Sequence, residues 1–269
     1  MFLKKISWIF KPLDIASEQD HKRALFKSLG FAIVLAGVLL VLMNRPEAAP
    51  DFTAYDAGDS RKAAFFDYML PLIHEANEDI LTTRSELLEI RQDAGKLSWL
   101  ERRRLRSLGA EYEIENFDPD NEDHWATLLR KVDIVPPSLA LAQAANESAW
   151  GTSRFAEQGN NFFGHWCYVE GCGIVPSDRP EGASHEVAAF DSPQQSVERY
   201  VFNLNHHPAY QEFRRMRAAL RATGQDLTGT ALVEGLDNYS ERGEEYIADL
   251  ESMIRFNSLS PLDTSPAGD

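Results

Sequence analysis

The sequence predicts a mainly helical α+β protein: helices on both sides of one small β lobe, preceded by a single N-terminal transmembrane helix. Three observations carry that prediction. Apolar residues recur at three- and four-residue intervals over 61–113 and again from Ser192 to Ile254, the spacing of a helix with one buried face. Between these stretches, residues 159–191 hold Gly159, Gly164, Gly171, Gly173 and Gly182 among aromatic and β-branched residues, a composition suited to short strands. Near the start, Ser28 to Asn44 is a run of 17 uncharged residues, long enough for one membrane span.

Each element follows from its own residues. Residues 1–27 carry six Lys/Arg against three acids, so by the positive-inside rule they form a cytoplasmic segment, and 28–44 form the anchor. The expected location is the inner (cytoplasmic) membrane, single-pass, with the domain periplasmic or otherwise extracytoplasmic. Residues 45–59, rich in Pro, Ala and Asp and without periodicity, read as a linker. A helical N-terminal region follows over 60–131. Ser60 caps a first stretch with Phe65, Phe66, Met69, Leu72, Ile73, Ala76, Ile80, Leu87, Leu88 and Ile90 in register, which Pro71 and Thr82-Thr83 are expected to split into a helix pair. A second helix over 98–113 sets Leu100, Leu105 and Leu108 opposite a solvated Arg102-Arg103-Arg104 face. Asp120 or Asn121 caps a helix through Trp125, Leu128 and Leu129, and Pro136-Pro137-Ser138 restarts the chain as a helix over 138–149. The late helical region breaks at His207-Pro208, and residues 258–269 read as a disordered tail.

Composition narrows the function. A net charge of −15 over 269 residues offers no basic footprint for a phosphate backbone, which argues against nucleic acid as a partner. Mean hydropathy of −0.35 excludes a polytopic membrane protein. Only two cysteines occur, in Cys167-Tyr168-Val169-Glu170-Gly171-Cys172; a zinc site needs four ligands, and His165 and His185 complete it poorly, so no metal is expected. Outside the membrane the expected state of Cys167 and Cys172 is a disulfide closing a short loop around Gly171. No phosphate-binding glycine loop or metalloprotease helix is present, and no cofactor is called for.

The chemistry concentrates in Pro137 to Gly151, where small residues dominate a helix and one carboxylate, Glu147, stands just before its end. Helical spacing sets Glu147 on one face with Gln143 and Trp150. A carboxyl desolvated against an indole stays protonated near neutral pH, the state a general acid needs.

The helix ending Ala145-Asn146-Glu147-Ser148-Ala149-Trp150-Gly151, then Asn160-Asn161-Phe162-Phe163-Gly164 and Phe190-Asp191-Ser192, resembles the bacterial glucosaminidase family of cell-wall hydrolases that includes the flagellar rod-cap hydrolase. Within it the likeness is to the Bax group of membrane-anchored members. It runs from about 61 to 258 and takes in Val132-Asp133-Ile134-Val135-Pro136-Pro137, Asn203-Leu204-Asn205 and His207-Pro208-Ala209-Tyr210. The resemblance implies a lysozyme-like domain over 132–257 that cleaves β-1,4 bonds in peptidoglycan glycan strands, as an endo-β-N-acetylglucosaminidase with Glu147 as proton donor. It implies a second acid in the β lobe, where Glu170, Glu181 and Glu186 are available and position before Phe190-Asp191-Ser192 favours Glu181. It also matches Tyr239 and Tyr246 to tyrosines bordering the cleft, with Tyr246 beside the scissile bond and Gln143, Trp150, Phe163, Trp166 and Tyr239 around the sugars. A lytic transglycosylase and a non-catalytic peptidoglycan-binding scaffold are the alternative readings.

Overall fold

The computed structural model describes residues 48–264 apart from 93–95, 178 and 181. The expected cytoplasmic segment, the 28–44 span and the candidate base Glu181 lie outside the described residues. Among the described residues no helix is long and apolar enough to cross a membrane.

Helix α1, Asp59–Gln92, runs 34 residues without the expected interruption at Pro71. The reason is local: Pro71 and Asp67 both face water, so the carbonyl deprived of its amide partner is hydrated, while Phe65, Met69, Ile73 and Asn77 hold the opposite face in the core. The Asn77 side chain bonds both backbone groups of Val135, donating to the carbonyl at 2.8 Å and accepting from the amide at 3.1 Å. That clasp fixes the Val132–Pro137 segment ahead of the central helix.

Helix α2, Trp99–Glu111, starts with a reciprocal capping box between Ser98 and Glu101. Helix α3, Glu122–Lys131, is capped by Asn121, whose side chain accepts from the amides of Asp123 and His124. Helix α4, Pro137–Ser148, opens with proline where a free amide would have no partner, and α5, Arg154–Gly159, is capped by Ser153. The β lobe follows as β1 (Trp166–Cys167), β2 (Gly173–Ile174) and β3 (Glu186–Ala188), antiparallel in the order β1-β3-β2. Gly173 lies against β3 so closely that a Cβ there would fall 2.0 Å from the Val187 carbonyl oxygen, so no larger residue fits. Helix α6, Pro193–His206, capped by Ser192, ends before Pro208; α7 (Gln211–Ala222), the short α8 (Gly229–Leu232) and α9 (Glu244–Phe256) complete the body. Among the described residues the protein is thus mainly helical α+β with one small three-stranded sheet.

Two hydrophobic clusters share α1. The larger joins Phe65, Met69 and Ile73 to α4, α6 and α9 around Leu139, Tyr200, Phe213, Tyr246 and Leu250. The smaller packs Leu87 against Leu105, Leu108, Phe117, Trp125 and Leu128. The 60–131 helices therefore pack along the body. A buried cation fastens α3 to the rest: Arg217 donates to the carbonyls of Asp133 and Ile134 at 3.0 and 2.8 Å and to that of Arg130 at 3.0 Å. These are carbonyls at or just beyond the end of α3, where helical partners run out.

Both ends of the described chain correct the sequence reading. The 45–59 stretch is not simply a linker, because Phe52 begins a single 3₁₀ turn, Phe52–Ala54, and is buried against Phe65. The 258–269 stretch is not wholly a tail: Leu259 is buried, and Ser260–Asp263 forms a 3₁₀ turn that holds Asp263 against α4. Asp263 accepts from the Ser138 amide and hydroxyl at 2.8 and 2.6 Å and from the Gly229 amide at 2.8 Å. Periodicity could not reveal either anchor, since each rests on one or two residues with long-range partners.

Candidate active site

Helix α4 is the central strut, with Leu139 through Ala145 buried on all sides, and it delivers Glu147 to the surface only in its last turn. Its end is unusual. Ala149, Trp150 and Gly151 all have positive φ (50°, 60° and 76°), while the Ser148 hydroxyl donates to the Ala144 carbonyl and accepts from the Gly151 amide. At Gly151 a Cβ would lie 2.3 Å from the Phe52 ring, so the turn and its cover require glycine. The reversal carries Trp150 away from Glu147 and sets it edge-on against Phe65 and Phe66 of α1.

The expected pairing of Glu147 with the Trp150 indole is thereby corrected; the groups around the carboxyl are different ones. One turn earlier, Gln143 is completely buried and both ends of its amide are used. The Tyr200 hydroxyl donates to its oxygen at 2.6 Å, and its nitrogen donates to the Tyr246 hydroxyl at 2.9 Å. That arrangement commits the Tyr246 proton to the Glu147 carboxylate. Asn146 also donates to the carboxylate, at 3.2 Å. Burial pushes the Glu147 carboxyl above its ordinary range; the bonds from Tyr246 and Asn146 and the charge of Arg242 oppose that shift without cancelling it. Burial and the adjacent Glu147 charge likewise raise the Tyr246 phenol, which stays protonated.

Glu147 lines a cleft of about 660 Å³. The β lobe contributes His165, Trp166 and Tyr168 to its lining; the helical body and the segment before α9 contribute Asn203, His207, Tyr210, Tyr239 and Glu241. Trp166 is 58% exposed and stacks on the His185 ring at 4.4 Å, so one indole face is braced and the other is free. Tyr168, 71% exposed, stands beside it on the loop closed by the Cys167–Cys172 disulfide. Both sulfurs are consumed in that bridge and ligate nothing. Burial pushes His165 down to about 4, leaving a neutral imidazole in the cleft wall.

The residues chosen from sequence thus divide. Glu147, Tyr239 and Trp166 line the cleft, while Tyr246 is buried in the core and bonded to Glu147, with Tyr239 stacked on it and the Tyr239 hydroxyl donating to the Phe163 carbonyl at 3.0 Å. Gln143, expected to touch sugar, is sealed in the core and acts by orienting Tyr246. Trp150 lies outside the cleft lining. Phe163 borders the cleft, but its ring is buried against Tyr200 at 4.0 Å and offers no open face. Among the acids proposed as base, Glu186 is tied down, its carboxylate accepting from the amides of Gly171 and Gly173 at 3.1 and 2.8 Å. Those bonds hold its pKa below the ordinary value. Glu170 does not line the cleft. Sequence reasoning missed Tyr168, Glu241 and His165 as lining residues; Asn203, His207 and Tyr210 stood in recognisable segments without a role.

Tyr246→Phe removes the donor that favours the ionised carboxyl, so the Glu147 midpoint is expected to rise further above the ordinary carboxylate range. Carbon-detected NMR titration of the Glu147 carboxyl reads this directly, and an unmoved or lowered midpoint would show that the phenol does not support the carboxylate.

Comparison with known proteins adds three findings. The glucosaminidase family model, described as mannosyl-glycoprotein endo-beta-N-acetylglucosaminidase, matches residues 122–259. Protein bax of Escherichia coli (strain K12) is 37% identical over 213 residues, covering 79% of this chain and 76% of that protein. Among solved structures, the catalytic domain of the autolysin Auto from Listeria monocytogenes is similar at 17% identity with a TM-score of 0.40, covering 78% of this chain and 92% of that one.

Proposed function

Because this chain belongs to the glucosaminidase family, we propose that it is a peptidoglycan hydrolase, an endo-β-N-acetylglucosaminidase that cuts β-1,4 bonds of glycan strands with Glu147 as general acid. The observation that carries this reading is the half-buried Glu147 carboxyl, raised by burial and lining an open cleft with a braced indole in its wall. A glycan strand lies along the cleft with sugar faces on Trp166 and Tyr168. Glu147 gives its proton to the leaving glycosidic oxygen as the C–O bond breaks, and positive charge develops on the ring carbon and ring oxygen. The ionised Glu147 left behind is stabilised by the Tyr246 and Asn146 donors, so the proton is released at low cost in that step. Gln143 contributes without touching substrate, by fixing which way the Tyr246 proton points. Glu181 is proposed as the base that activates water, with inversion at the anomeric carbon; retention would instead have the substrate's own N-acetyl oxygen attack that carbon as the leaving oxygen departs, with water displacing it in a second step.

We further propose that the domain works outside the cytoplasmic membrane, anchored by 28–44. The disulfide in the β lobe supports an oxidising compartment. The partners are then peptidoglycan glycan strands and the bilayer.

The test is incubation of the full chain with intact sacculi and mass spectrometry of the released fragments. Fragments ending in reducing N-acetylglucosamine are expected. Anhydro ends would make the protein a lytic transglycosylase, and binding to sacculi without release at any pH would make it a non-catalytic wall-binding scaffold.

A further inference from the structure

We infer that the exposed face of α2 is a docking surface for an anionic lipid bilayer. The chain carries a net charge of −15, yet residues 96–106 hold Lys96, Arg102, Arg103, Arg104 and Arg106 against one acid. That acid, Glu101, is spent in the capping box with Ser98. The helix buries Leu105 and Leu108 in the smaller core, which turns the opposite side outward. On that side Trp99 is 65% exposed and Leu100, expected on the buried face with Leu105 and Leu108, is instead 68% exposed; the Arg103 guanidinium lies 5.6 Å from the centre of the Trp99 ring. Arg104 pairs with Glu86 at 3.2 Å; Arg102 and Arg106 make no ion pair among the described residues.

A protruding indole and leucine among free cations match a bilayer surface in two ways. The indole and the aliphatic chain enter the boundary between headgroups and acyl chains, where aromatic residues are enriched. The cations meet lipid phosphates while their stems stay along the apolar layer. Charge complementarity favours a lipid surface over a polyanion that wraps the protein, because the strongly acidic remainder repels anything extending past the patch, whereas a flat surface meets the patch alone. The glycan substrate does not account for it, since none of these residues lines the cleft. Nor is the exposure incidental to folding: the capping box makes the turn that presents Trp99 and Leu100 a firm one.

The test places the full chain in vesicles with brominated acyl chains, which quench tryptophans seated at the headgroup boundary. Subtracting the signal of Trp99→Phe, an exposed substitution, isolates Trp99 from the other tryptophans. The difference is expected to be quenched in vesicles containing phosphatidylglycerol, to fall in pure phosphatidylcholine and at high salt, and to weaken by about five-fold per cation in Arg102→Gln, Arg103→Gln and Arg106→Gln. Equal fluorescence change in wild type and Trp99→Phe with phosphatidylglycerol overturns the proposal. So does a Trp99 signal that responds to a soluble polyanion or an acidic peptide but not to lipid, which would hand the surface to that partner.

Discussion

Glu147→Gln is expected to lower glycan cleavage by about 10²–10⁴-fold while leaving the protein at least as stable as wild type. Glutamine keeps the shape, and its single amide oxygen can still accept a bond, but it has no acidic proton to give the leaving oxygen. The stability half of the result follows from burial. The folded-state pKa of Glu147 stands above its unfolded value, so its contribution to stability is fully present below the unfolded pKa and is lost as pH rises through the folded one. Above that window the ionised carboxylate subtracts stability, which the neutral amide does not. Wild-type activity should fall over the same window, as pH rises through the raised pKa and the donor loses its proton. Cleavage and thermal unfolding of both proteins across pH check the pair together. If Glu147→Gln keeps more than about a tenth of wild-type activity, well short of a general acid's share of the rate, the acid is another group.

Phe52→Ala is expected to destabilise the domain by about 3–5 kcal/mol, the usual cost of truncating a buried aromatic, and to lower Tm by roughly 6–20 °C for a body of this size. The ring meets Phe65 at 5.4 Å and Tyr68 at 5.9 Å, both edge-on, and lies on the Gly151 backbone. Alanine leaves a void beneath that stack that the tight turn after α4 cannot collapse into. Since the same turn sets the last residues of the helix bearing Glu147, activity should fall at temperatures where the variant is still folded. Calorimetry measures the first effect and assay well below Tm the second; a loss under about 1 kcal/mol would return Phe52 to the linker.

What the sequence disclosed and withheld has a physical pattern. Where a local rule decides, most helix starts were legible: Asn121 and Ser192 mark them through bonds that span only a few residues and Pro137 by needing none, although Ser60, read as a cap, lies inside α1. The glycine-rich lobe and its disulfide were legible for the same reason. Glu147 was visible as the lone carboxylate on a helix of small residues, but its surroundings were not. Spacing of three residues put Trp150 on its face only so long as the helix continued, and three successive positive-φ residues end it first. The groups that govern the carboxyl, Tyr246 and through it Gln143 and Tyr200, are assembled across as many as 103 residues of chain. Pro71 was misread because a proline's cost depends on whether the freed carbonyl meets water, which is a property of the packed face.

The clasp of Asp263 on Ser138 bears on the order in which the molecule is made. The first turn of α4 receives its side-chain cap from a residue 125 positions downstream. At synthesis speeds of about 5–20 residues per second, roughly 6–25 s separate the appearance of the two partners. Over that interval the helix that bears Glu147 is complete in covalent terms but lacks its final fastening. A chain cut short before Asp263 would keep every residue of the cleft and still lack it. The fastening of the helix that bears Glu147 thus becomes available only after every cleft residue has been made.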